Sequence, residues 1–464
     1  MSLEPIGIFT IVVGLCCVLL GYSATATVFV VMTVFGAAAA IVAGAANIQP
    51  AHLFLLFLAI ATLSWRRNAM PAMQALRPGQ PAFWLACLVL YGAASGFFSP
   101  RLLAGATQII PVGISEYPST GGTVPLGPVS SNVTQAIYLV ADLICFVIIV
   151  AVGSTRRGFA AITTGLVAYA FANVFFALLD IATDATGTQA VMQFMRNAQY
   201  ALHDNETVAG MKRIIGSWPE ASSFAGTTLG AFGFTATMWL CGRAPLCTGP
   251  LALASLVLIF LSTSSTGLVA APVCLVLLYL TAMGRSGVGG GSLRSSAVAV
   301  IAPQILAVAI LVVLLNDDIY RTLYDYVDLL VLSKTGSVSG MERASWNAYG
   351  LQNFMDSWGL GVGLGTARTS SFPLALLSNV GIPGAVFFAL FAFGAIGRRR
   401  GTDRTVPSDI RLAARNGSLC LLVGALVSGA LVDLGLLFFV LAGLASVEPE
   451  RHEPILAAAG DGRH

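Results

Sequence analysis

Residues 134–152 read TQAIYLVADLICFVIIVAV, an apolar run interrupted by one charge, Asp142. About 20 mostly apolar residues are what a helix needs to cross a bilayer, because in lipid each backbone amide must find its partner within its own segment. Similar runs recur along the chain, at about 5–21, 26–46, 50–64, 82–98, 158–182, 221–241, 249–263, 267–283, 297–315 and 373–396. The final stretch, Ser418 to Ser446, is too long for one comfortable helix, and Gly429 to Gly435 around Asp433 reads as a break. Two short helices there give about thirteen spans; one tilted helix gives about twelve and moves the C-terminus to the other side. The expected fold is therefore all-α, a polytopic integral membrane protein with about 12–13 transmembrane helices.

Composition points the same way. Of 464 residues, 56% are hydrophobic and 10% charged, with a mean hydropathy of +0.84, against about 25% charged residues in a soluble domain. The run Ile6 to Leu20 lacks a basic leader and is followed directly by a second run, so it reads as a first anchor and not as a cleaved signal peptide. No linker or soluble module is visible, and 1–464 is expected to form a single membrane domain with a polar tail at 447–464. All eight cysteines fall in spans or at their basic edges, so no disulfide framework is expected.

Basic residues in short loops stay cytoplasmic. Arg66, Arg67, Arg77, Arg156, Arg157, Arg243, Arg285 and Arg294, with the cluster Arg398, Arg399, Arg400, Arg404, Arg411 and Arg415, all fall on one side of the alternation. With a net charge of only +3, that cluster is more simply a topology determinant than a nucleic-acid site, and nucleic acid is not expected as a partner. Ser286 to Ser292 reads as a flexible connection on the same side. The other side carries three longer segments, about 99–133, 183–220 and 316–372. Asn132 and Asn205 sit there in Asn-x-Thr sequons, which mean little without a secretory context.

The segment 316–372, a large outer loop before the eleventh span, is the richest in chemistry. Arg343, Trp346, Tyr349, Leu351 and Phe354 recur at helical spacing and predict an amphipathic helix near the interface. The alternation Gly359-Leu360-Gly361-Val362-Gly363-Leu364-Gly365 follows, then Arg368 and Ser370-Ser371. Guanidinium forks suit phosphate oxygens and free loop amides add donors, so Arg343, Arg368, Gly361, Gly363 and Gly365 form a candidate diphosphate site. Interfacial anchoring and turn geometry explain the same residues equally well. A nucleotide P-loop is excluded, since no Lys-Ser/Thr follows the glycines and no strand precedes them.

In MKRIIGSWPEASSFA, 211–225, Lys212 and Arg213 precede Glu220 at the mouth of a span. The cations could join the diphosphate site and the carboxylate could act as a base; Pro219 and Glu220 also suit an ordinary helix start. Asp317-Asp318 with Arg321 could hold a metal, but no second acidic cluster completes a shell, and no metal is expected. His203, with Asp204 and Glu206, is the only outer-loop imidazole. Within the spans, Asp142, Asp180 and Asp433 are costly unless they face a cavity or a partner; a proton relay and interhelical hydrogen bonding are both open.

RASWNAYGLQNFMDSWGLGVGLGTARTSSFPLALLSNVGIPGAVFF, 343–388, resembles the O-antigen ligase and O-antigen polymerase superfamily of bacterial membrane glycosyltransferases, with its Arg-x-x-x-Trp helix, Gly-x-Gly-x-Gly turn and Asn379-x-Gly381 before a span. SWPEASSFA, 217–225, looks like the Pro-Glu stretch of polymerase-type members, and STSSTGLVA, 262–270, is similar to their serine-rich turn. The likeness runs loosely over about 210–445. It implies a metal-independent and cofactor-free glycosyltransferase in a bacterial inner membrane, with its active site facing the periplasm. Undecaprenyl-diphosphate-linked glycan and membrane lipids would be its partners, with a flippase and a chain-length regulator beside it. Arg213, Arg343 and Arg368 would neutralise the departing diphosphate. Ligase-type members usually carry a His-Asn pair after the glycine turn, where this chain has Ser370-Ser371-Phe372. Glu220 is therefore the expected base. The leading expectation is a polysaccharide polymerase, with a ligase and a polytopic transporter as alternatives.

Overall fold

The structure, a computed structural model, describes residues 2–43, 46–64, 66–117, 122–198, 207–208, 211–287 and 292–451. His203, Asp204, Asn205 and Glu206, the centre of the 286–292 connection and the tail beyond residue 451 lie outside the described residues. The apolar runs fold as helices. α1 (Pro5–Leu20) and α2 (Tyr22–Met32) form a hairpin at Gly21, α3 (Pro50–Leu63) packs on both, and α4 (Arg66–Ala75) precedes α5 (Pro81–Leu102). Then come α6 (Ser131–Gly153), α7 (Arg156–Thr186), α8 (Ala221–Leu240), α9 (Pro245–Leu261), α10 (Ser265–Arg285) and α11 (Leu293–Leu315). α12 (Asp317–Val327) and α13 (Val338–Asp356) lie within the 316–372 connection, and α14 (Phe372–Ala392), α15 (Val406–Ser428) and α16 (Leu436–Ser446) complete the bundle. Proline opens α1, α3, α5, α9, α14 and α15, where its fixed φ fits the first turn and its missing N–H costs nothing.

Seven helices are long and apolar enough to cross a membrane: α5, α6, α7, α10, α11, α14 with its extension to Gly397, and α15. The chain is thus a mostly helical, membrane-embedded protein. α11 has none of its apolar window buried and packs mainly on α10, as a helix in contact with lipid does.

Hydropathy misplaces two segments. The run 26–46 is not one helix: α2 stops at Met32, and Ile41–Ala43 pairs antiparallel with both Ala46–Ile48 and Ser2–Leu3. A tertiary contact explains the break. The Ala37 amide donates to the Ser217 carbonyl at 2.9 Å, and Gly36 lies so close beneath Trp218 that a Cβ would sit 2.2 Å from its ring. Second, α15 begins at Val406 and includes Arg411 and Arg415, which the sequence places in a loop. The long apolar tail does break at 429–435, as the glycines around Asp433 predict, and α16 then runs back alongside α15. Arg411 Nη1 donates to the Val447 carbonyl at 3.3 Å and to Glu450 at 3.0 Å, so the chain returns to the arginine-rich end it left. At 11 residues, α16 is about 16 Å long, roughly half a bilayer core.

Ion pairs mark the arginine-rich end: Asp409 of α15 holds Arg243, after α8, at 2.8 Å and Arg285 at the end of α10. At the opposite, distal end the long connections fold over one another. Asn379 organises them. α14 is broken at Gly381, with φ +59° and ψ −162°, and into that break sinks the turn after Gly359, buried over 361–367. Thr366 and Ala367 donate their amides to Asn379 Oδ1 at 2.9 and 3.0 Å, and Asn379 Nδ2 donates to the Ala367 and Ala375 carbonyls at 2.9 Å each. A Cβ on Gly381 would lie 2.3 Å from the Gly359 carbonyl oxygen. Asn132, at the start of α6, is buried and donates to the Leu364 carbonyl and Thr366 Oγ1, each at 2.8 Å, so this sequon serves packing.

Asn379→Ala would strip the Ala367 amide and carbonyl of their side-chain partner where water cannot reach, and leave the Thr366 amide only its 3.1 Å bond to the Gly363 carbonyl, a cost on the order of 3 kcal/mol. We expect a clear drop in the thermal unfolding midpoint of the detergent-purified protein; a midpoint equal to wild type would mean that Asn379 does not hold the turn.

Candidate functional site

The distal face brings some of the sequence candidates together and keeps others apart. Arg343 and Trp346 are one helical turn apart on α13, on the same face. Arg368 leaves the glycine turn and places its guanidinium 5.0 Å from the centre of the Trp346 ring, a cation–π distance. It is exposed, whereas Arg343 is half-buried, and neither forms an ion pair among the described residues. α13 is pinned beneath them. The Ser370 amide donates to Asn347 Oδ1 at 2.8 Å, Thr107 Oγ1 donates to Asn353 Oδ1 at 3.2 Å, and the Arg368 amide donates to the Ile110 carbonyl at 2.8 Å.

The glycines have another job. Gly361, Gly363 and Gly365 are buried and all have positive φ, and a Cβ on Gly361 would lie 2.6 Å from the Asn379 carbonyl oxygen. The Gly361 amide donates to Ser357 Oγ at 3.0 Å and the Gly363 amide to the Asn379 carbonyl at 2.9 Å. Those donors are committed inside the protein. The turn acts by close packing and by aiming Arg368.

Lys212 stands with another group. Its Nζ lies 3.0 Å from Asp180 and 3.3 Å from Asp184, both on α7. Asp180 is a buried hub: it also holds Arg196 at 2.7 Å and accepts the Ile215 and Gly216 amides at 3.0 Å. This intrahelical acid therefore ties the 187–220 connection down, and Lys212 is part of that tie. Arg213 is half-buried beside it in sequence.

Glu220 occupies the N-cap position of α8, two residues after Trp218, which donates from Nε1 to Asn173 at 3.1 Å. Pro219 lies outside the helix. The Glu220 carboxylate makes no capping bond to a backbone amide; instead it accepts from the Ser222 hydroxyl and, at 3.4 Å, from Ser223. No cation pairs with it among the described residues. Beside this first turn lies the serine-rich turn between α9 and α10, since a Cβ on Gly267 would be 3.4 Å from Ala225 Cβ. The hydroxyls of Thr263, Ser264 and Thr266 are buried there without hydrogen-bond partners. Composition alone could not signal that this turn packs against the first turn of α8.

α15 connects the two halves. Close approach at Gly424, whose added Cβ would lie 3.2 Å from Gly226 Cα, sets α8 against it. At its distal end Gly429 meets Phe372, the first residue of α14, at 2.9 Å by the same measure. Glu220 with its serines and Arg368 with Ser370-Ser371 thus flank the distal tip of one helix. Asp317 and Asp318 lie elsewhere, in the exposed first turn of α12, where acids favour the helix dipole.

A second polar group lies inside the bundle. Asp142 of α6 is fully buried, and neither carboxylate oxygen has a geometric hydrogen bond; the Asp433 carboxyl from the 429–435 break faces it. His52 and Tyr138 stand close by, their rings 5.0 Å apart, and Tyr138 donates to the Asn47 carbonyl at 2.7 Å. A groove of about 420 Å³ between α5 and α6 passes Arg101 and Asn132. No protein family matches the chain, and no curated protein matches it.

Proposed function

We propose that the chain is a membrane glycosyltransferase that extends a polysaccharide from undecaprenyl-diphosphate-linked repeats at the distal face, which would be the periplasmic side of a bacterial inner membrane. One observation carries this reading: Arg368 stacked on Trp346, one helical turn from Arg343, with no acid pairing either guanidinium among the described residues. Two cations held beside an aromatic plate suit a diphosphate leaving group next to a sugar. The α5–α6 groove, apolar along most of its length, offers a path for the polyprenyl chain.

In the proposed reaction an acceptor hydroxyl oxygen attacks the anomeric carbon of the donor. The bond from that carbon to the diphosphate oxygen breaks, and its electron pair leaves with the lipid diphosphate. Arg343 and Arg368 stabilise the growing negative charge, and Glu220 accepts the hydroxyl proton. Asp180, by contrast, holds Lys212, so the second cation of the diphosphate site is Arg368 and not Lys212.

A ligase moving finished glycan to another acceptor uses the same chemistry. The facing acids Asp142 and Asp433 favour a different second reading, a proton-coupled transporter of lipid-linked glycan.

Arg343→Gln or Arg368→Gln should reduce elongation by ~10²–10³-fold at normal membrane abundance, read as loss of the long-chain ladder on glycan gels; full-length ladders from both variants would sink the assignment. Glu220→Gln should cost about 10²–10⁴-fold in the same assay, and retained activity would remove Glu220 as base. Purified protein in liposomes should elongate glycan without a proton gradient, and Asp142→Asn should do so within a few-fold of wild type. Gradient-dependent glycan flux that is lost in Asp142→Asn, with no elongation, would establish the transporter instead.

A further inference from the structure

The arginine-rich end contains a cavity of about 400 Å³ between the end of α10, the turn after α14 and the start of α15. Seven arginines line it, against a single carboxylate, Asp403. Several of these are already engaged: Arg285 pairs with Asp409, Arg411 with Glu450, and Arg400 donates to the Ala395 carbonyl at 2.9 Å. Arg399, Arg404 and Arg415 have no ion-pair or hydrogen-bond partner among the described residues, and Arg415 Nε is buried without one. Arg399 lies within electrostatic reach of Arg415, like charge facing like charge.

Membrane orientation requires arginines on this side, but it counts charges and does not gather them. Converging several guanidinium groups on one cavity, one of them with a buried bare donor, costs free energy unless an anion completes the arrangement. The remaining wall is aliphatic, with Leu277, Leu280, Leu412 and Ile396, and Leu280 is 59% exposed on the outside of the bundle. The cavity is therefore charged at one side and continuous with an apolar surface at the other.

We propose that this cavity binds the phosphate group of an anionic amphiphile, a membrane phospholipid headgroup, held by Arg399, Arg404 and Arg415 with its acyl chains along Leu277 and Leu280. Forked guanidinium donors match phosphate oxygens, and basic pockets between membrane helices on this side suit such headgroups. The site lies at the end opposite Glu220 and Arg368, and does not depend on their role.

The test uses the full-length protein, delipidated in detergent, with native mass spectrometry after adding phosphatidylglycerol, phosphatidylcholine or inorganic phosphate. Phosphatidylglycerol should bind in preference to phosphatidylcholine, and affinity should fall about fivefold for each arginine removed in the exposed double variant R399A/R404A. Arg415→Gln should weaken binding similarly; the surface variant keeps the test valid should the buried one fail to fold. Binding of inorganic phosphate with equal sensitivity to the variants would identify a soluble anion as the source of the phosphate. Wild type and R399A/R404A binding all three probes alike would overturn the proposal and leave the arginines as orientation signals alone.

Discussion

The distal face depends on the side-chain amide of Asn379. A membrane bundle tolerates irregular backbone only where protein supplies the hydrogen bonds that water would give elsewhere. The turn is irregular and, over 361–367, buried, and it lies in a break of α14 that itself frees backbone groups. One carboxamide answers both, accepting from Thr366 and Ala367 and donating to Ala367 and Ala375. The broken helix adds its own share, since the Ile382 amide donates to the Gly359 carbonyl at 2.8 Å. Arg368 emerges from this knot two residues after Thr366. Its position over Trp346 is thus inherited from a hydrogen-bond requirement of the membrane interior.

The other half of the face is set by close helix packing. α8 and α15 approach at small residues, Gly226 against Gly424 and Gly233 against Cys420, where a Cβ on Gly233 would lie 2.7 Å from the Cys420 sulfur. Van der Waals contact between small residues drives helix association in lipid, where hydrophobic burial gives no advantage. This contact decides where the first turn of α8 ends up, and with it Glu220. The α9–α10 turn follows, since its helices pack on α8 as well.

Much of this was legible from residues alone. Long apolar runs predicted the helices, proline marked their starts, and the break around Asp433 was readable from Gly429 and Gly435. The amphipathic spacing from Arg343 to Phe354 predicted α13. The hairpin at 41–48 was not legible, because alanine and glycine look as apolar in a strand or loop as in a helix, and Trp218, which displaces the helix there, lies far along the chain. Nor could glycine spacing reveal that the turn's amides are spent internally: φ > 0 and close packing demand the same residue as anion binding. Asp180 illustrates the same limit. An acid within a span signals a partner, but which partner depends on how a distant loop folds back.

Carboxylates sort the cations of this protein. At the arginine-rich end Asp409 holds Arg243 and Arg285, and at the distal end Asp180 holds Arg196 and Lys212; both acids are buried, and each staples connections together. A buried ion pair broken by removing one partner leaves an uncompensated charge, so these cations are fixed in structural service. Arg343 and Arg368 have no such acid among the described residues, and Arg368 lies over an indole face, which steadies a guanidinium without neutralising it. Acidic pairing would quench the charge that the proposed diphosphate site needs; aromatic stacking keeps it. The distinction is why the proposed diphosphate site draws on two arginines carried by a connection more than a hundred residues away and not on Lys212, though Lys212 stands closer in sequence to Glu220.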